Sequence, residues 1–113
     1  MEKLFEKLTE YLHMDTEIPF EEFTVYYQDV MDKLNQNFQE LSQDECVKAR
    51  YICSILQANA EMRAKNSKAH AKAFKKMMTK SGFWADAIAY RLLKEGMTQE
   101  DLDKASEALN DSI

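Results

Sequence analysis

The chain has 113 residues, 45% of them hydrophobic, with twelve aromatics and a net charge of −5. That much apolar surface offsets chain entropy, which excludes a disordered chain, and the length allows one core, so residues 1–113 read as a single domain. The longest apolar runs, such as Ala87-Ile88-Ala89-Tyr90, fall far short of a membrane span, and the amphipathic start, with glutamates already at positions 2 and 6, does not read as an export signal.

A first helix is expected from about residue 2 to 13, because Leu4, Phe5, Leu8, Tyr11 and Leu12 fall on one side of a 3.6-residue period. Pro19 suits the first turn of a second helix, and Glu21 and Glu22 behind it favour the positive end of the helix dipole. That helix should run to about residue 41 on Phe20, Phe23, Tyr27, Val30, Met31, Leu34, Phe38 and Leu41. Ser42 and Glu45 then form a capping box, and neither proline nor glycine follows until Gly82. The spacing predicts a long central helix over about 43–80, roughly 38 residues and ~57 Å if unbroken, with Asn66-Ser67 the place for a kink. A joint of two or three residues before it makes it antiparallel to the second helix. Ser81-Gly82 is expected to end it. Residues 83–94 leave almost no polar side, which points to a helix buried on more than one face. Gly96 stops that segment, and Thr98 with Asp101 caps a last helix carrying Leu102, Ala105 and Leu109. The fold class is therefore all-α, an antiparallel bundle of about five helices around the long one.

Charge is segregated along the chain. Residues 1–45 sum to −9, residues 46–80 to +8 and residues 81–113 to −4. Lys65, Lys68, Lys72, Lys75 and Lys76 fall on one side of the long helix and Lys80 follows them, a stripe suited to an anionic partner unless neighbouring helices neutralise it. Asn59, Arg63, Asn66 and His70, at i, i+4, i+7 and i+11, form a polar file on its apolar side. Acids of neighbouring helices (Asp29 or Asp32 for Arg63), exposure past the end of a shorter helix, a dimer axis, or a polar pocket inside the bundle would each account for such a file.

Catalytic and cofactor signatures are missing. Cys46 and Cys53 lie seven residues apart, ~10 Å along a helix, too far for a mutual disulfide, and read as free core thiols of a reducing compartment. Glu61 and His13 lack the Glu-x-x-His spacing of di-iron bundles, and two glycines cannot build a phosphate-cradling loop. An acidic bundle with one histidine, His70, on a long helix followed by lysines resembles histidine phosphotransfer domains, which implies an exposed phosphate-accepting ring. The Lys-Gly pair of those domains is absent after His70, where Ala71-Lys72-Ala73-Phe74 stand, and the helical projection turns His70 inward.

The expected function is that of a non-enzymatic, cytoplasmic protein-protein interaction module, self-associating as a homodimer and needing no cofactor. Its apolar seam is assigned to Phe74, Met77, Phe83, Trp84, Ile88 and Leu92. The alternatives are a nucleic-acid-associated accessory subunit using the lysine stripe, and phosphotransfer at His70. Nearly all-lysine chemistry, without arginine forks or interleaved aromatics, weighs against base reading.

Overall fold

The computed structural model describes residues 1–113 as five helices and no strand. They are α1 (Glu2–Leu12), α2 (Phe20–Asn37), α3 (Gln43–Asn66), α4 (Ala71–Lys94) and α5 (Gln99–Asp111), with a 3-10 turn at Phe38–Glu40 closing α2. The all-α bundle expected from the sequence is the architecture found. No helix is long and apolar enough to cross a membrane.

Both capping boxes form. Glu45 N–H donates to Ser42 Oγ at 3.1 Å while Ser42 N–H donates to Glu45 Oε1 at 3.0 Å, and Thr98 pairs with Asp101 in the same way. Bonds from the Ser42 and Thr98 backbones, and then their hydroxyls, hold Glu45 and Asp101 below the usual carboxylate range. At Gly96, φ is +110°, Gly96 N–H bonds back to Leu93 O and Met97 N–H to Leu92 O. This left-handed cap closes the last carbonyls of α4, and glycine takes it without a Cβ clash.

Two boundaries differ from the sequence expectation. The long helix is not continuous over 43–80: it stops at Asn66, and residues 67–70 turn the chain before α4 begins. The break falls at Asn66-Ser67, where residues that compete for backbone hydrogen bonds weaken the helix. Nor does Ser81-Gly82 end a helix, because α4 passes straight through it. Ser81 is fully buried there, and a Cβ built on Gly82 would stand 2.6 Å from Gln57 Nε2. Small residues at this point let α4 approach α3, the most closely packed pair of helices.

Named contacts fix the layout. Arg63 of α3 lies over Phe23 near the start of α2, and the far end of α2 leads into the joint where α3 begins, so these two run antiparallel. The α3–α4 hairpin brings Gln57 to Gly82 and Arg91 back to Leu41. On the other flank α1 lies against α3, with Lys48 paired to Glu2, and α2 holds it from its own side through the Tyr26 hydroxyl, which donates to Leu4 O at 2.7 Å. Arg50 donates to Ser106 at 3.0 Å and Tyr51 to Asn110 at 2.9 Å, which moors α5. Val30, Met31, Leu34, Cys46, Ile52, Cys53, Ile88, Leu92 and Leu102 meet in the centre, all under 2% exposed. Both cysteines are free, and burial pushes the Cys53 thiol up to about 12, which leaves it inert at neutral pH.

The role of Gly82 has a measurable sign. Only the far end of the flexible Gln57 side chain opposes a Cβ there, and glycine in a helix interior costs about 1 kcal/mol against alanine. Gly82→Ala is therefore expected to stabilise the fold by roughly 0.5–1 kcal/mol in urea unfolding. A loss of stability would mean that Gln57 cannot give way.

Candidate functional site

The outer face of α4 carries the surface chemistry. Going along it, Lys72, Lys75, Lys76, Thr79, Lys80, Phe83, Asp86, Ala87, Tyr90 and Lys94 recur at three- and four-residue spacings, so one side of the helix collects them all. The four lysines span ~12 Å of helix and the full file ~33 Å. None of the four makes an ion pair. Beyond them stand two large aromatics, Phe83 at 64% and Tyr90 at 63% exposure.

Two shallow depressions share Phe83. One lies among Lys72, Lys75, Lys76, Thr79 and Lys80. The other is bounded by Phe38, Asp86, Tyr90, Arg91 and Lys94. The floor of the second is stiffened by aromatic contacts: Trp84 stands edge-on to Phe38 at 5.3 Å and to Phe83 at 5.8 Å. Lys94 lies over the Tyr90 ring at 5.3 Å. Arg91 is not free to recognise a ligand, because its Nη1 donates to Phe38 O, its Nη2 to Leu41 O at 2.7 Å, and its Nε to Glu95 at 3.0 Å.

The seam assigned from the sequence is divided by the structure. Phe74, Met77, Ile88 and Leu92 are interior, between 0% and 6% exposed, and pack the core rather than present a surface. Phe83 is exposed and Trp84 half-buried. Residues 83–94 thus have one wet side after all, as the second half of a two-faced helix. Of the lysines, Lys72, Lys75 and Lys76 share the α4 face. Lys65 belongs to α3, where it pairs with Glu61 at 3.8 Å, and Lys68 lies exposed in the turn. Lys80, the last lysine of the expected stripe, lies on the same face, and Tyr90 and Lys94 complete it; continuing the 72, 76, 80, 83, 87, 90, 94 spacing through Gly82 finds these two.

The polar file is also split. Asn59 and Arg63 stand one turn apart on α3, Asn66 is exposed at its end, and His70 lies beyond the break as the residue capping α4. The His70 ring stacks on Phe20, centroids 3.8 Å apart and planes 9° off parallel, so one face is covered. Arg63 pairs with neither Asp29 nor Asp32. Its Nη1 donates to Ile18 O at 3.0 Å, and its guanidinium carbon lies 4.4 Å from the centre of the Phe23 ring. No group of three or more His, Cys, Asp and Glu side chains is placed to hold a metal.

Comparison with protein-family models, curated proteins and solved structures finds no match for the chain.

Proposed function

We propose that the protein is a non-enzymatic helical binding module whose α4 outer face takes an acidic, amphipathic segment of a partner protein. The observation that carries this reading is four unpaired lysines continuing, on one helix face, into exposed Phe83 and Tyr90. Carboxylates of the partner meet Lys72, Lys75, Lys76 and Lys80, and its apolar side chains cover the two rings. Charge steers the encounter, while desolvated aromatic surface holds the complex. Free, buried Cys46 and Cys53 suit the cytoplasmic setting that belongs to the same proposal.

Nucleic acid is the weaker reading of the face. Four lysines over ~12 Å match only three or four phosphates of a strand, and Asp86 and Glu95 repel the backbone beyond them. The one nearby arginine, Arg91, is occupied. Self-association survives in a narrower form, since residues 1–45 carry −9 and a second copy offers an acidic surface of its own.

The test is anisotropy of a labelled helical peptide with glutamates and leucines on one side, compared with the same peptide having serines for leucines, and with a short single-stranded oligonucleotide. The leucine peptide is expected to bind best, and Phe83→Ser and Lys76→Glu each to weaken it roughly tenfold, or about 1.4 kcal/mol. Equal binding of both peptides would contradict the aromatic anchor. Preferred binding of the oligonucleotide, lost roughly 20- to 50-fold between about 50 and about 200 mM salt, would replace the proposal with the accessory-subunit reading. Concentration-dependent mass in light scattering, abolished by Phe83→Ser, would make the partner a second copy.

A further inference from the structure

A cavity of about 230 Å³ opens between the end of α1, the α1–α2 loop, the start of α2 and the middle of α3. Its walls are mainly apolar, with Leu8, Tyr11, Phe23 and Ile55 among them, and two polar side chains reach it from α3, Asn59 and Arg63. No carboxylate pairs with Arg63. Its Nη1 is spent on Ile18 O, its Nε is buried without a partner, and its Nη2 makes no hydrogen bond. A guanidinium pressed against the Phe23 ring beside an apolar hollow, with its Nε sealed inside and its Nη2 the one donor both unspent and open, is a cation without an anion.

We infer that this cavity binds a small apolar monocarboxylate, its body in the hollow and its carboxylate on Arg63. Size sets the scale of the ligand. A 150 Å³ apolar cavity holds benzene, so 230 Å³ takes about nine or ten non-hydrogen atoms, the bulk of phenylacetate or octanoate. Asp15 and Glu17, exposed at the mouth, oppose any anion, so the single charge that Arg63 offsets is the most the cavity takes, and dicarboxylates and phosphates are disfavoured. Asn59 donates to Ile55 O at 3.0 Å, which leaves its amide oxygen for a polar substituent on the ligand. The cavity shares no residue with the α4 face, so this site stands or falls independently of the partner-binding reading.

Titration calorimetry at neutral pH with phenylacetate, octanoate, phenylacetamide, phenethylamine and inorganic phosphate tests the inference. Both acids are expected to bind saturably, at least tenfold tighter than the amide, with phosphate silent. Arg63→Met should erase the preference of acid over amide while weak amide binding persists. Ile55→Trp should fill the hollow and abolish binding of both acids, with helical circular dichroism unchanged. Because Arg63 also holds Ile18 O, Arg63→Lys is the second variant: it keeps the charge, loses the fork, and should weaken both acids if Arg63→Met does not fold. Absence of saturable acid binding, equal binding of acid and amide, tighter binding of phenethylamine, or an acid preference that survives at Arg63→Met would each overturn it.

Discussion

Ile88→Ala is expected to lower the unfolding free energy by about 2–5 kcal/mol, the range for truncating a buried isoleucine that leaves a cavity. Ile88 is fully buried at the centre of the bundle, where α4 meets α3. A domain of this size has about 5–15 kcal/mol in total, so this one change takes a large share. Phe83→Ala, five residues earlier on the wet side of the same helix, should move stability by no more than about 0.5 kcal/mol. Urea denaturation of both variants at one protein concentration measures the contrast. If Ile88 instead lay in a subunit seam, its variant would lose stability in a concentration-dependent way, and Phe83→Ala would do the same.

Arg91→Met is the second large effect expected, about 2–4 kcal/mol, from two hydrogen bonds by a charged donor to backbone carbonyls. Through Phe38 O and Leu41 O, Arg91 fastens the last third of α4 to the 3-10 turn and the extended residue before α3. Leu41 O lies in the joint, while Phe38 O closes the 3-10 turn with a long bond from Leu41 N–H at 3.4 Å, so Arg91 supplies the stronger partner at both carbonyls. The guanidinium also lies 5.3 Å from the centre of the Phe38 ring. Arg91→Lys should recover less than half of the loss, because an ammonium cannot fork to two carbonyls at fixed geometry. A change within about 0.5 kcal/mol for Arg91→Met would show that water replaces the clamp at no cost.

Helix identity was legible because the apolar spacing of α1 and α2 and the two capping boxes are local signals, set within four residues of sequence. The joint at Asn66-Ser67 was legible for the same reason. What local reading misjudged was any residue whose meaning depends on a neighbour across the fold. Gly82 reads as a stop, but its missing Cβ makes room for Gln57 of α3. Residues 83–94 read as apolar all round because alanine suits either side of a helix; which side faces water was settled by α3 and the α2 end packing on Ile88, Leu92 and Trp84. With that side assigned, Ile88 and Leu92 belong to the core, and of the expected seam Phe83 stays exposed, with Tyr90 beside it. The lone arginine in an apolar run was a signal for Arg91, whose partners are two carbonyls that no side-chain pattern can announce. Arg63 was sought against Asp29 or Asp32 by charge alone, and found a backbone oxygen and a phenyl ring instead.

The most direct test of the binding surface is amide chemical-shift mapping of the labelled protein titrated with the acidic leucine peptide. The account predicts shifts concentrated along the outer face of α4, from Lys72 to Lys94 and into Phe38, with the α5 amides unmoved. Shifts spread evenly over exposed lysines, Lys3, Lys7 and Lys104 included, would mark nonspecific charge attraction and contradict a built site on α4.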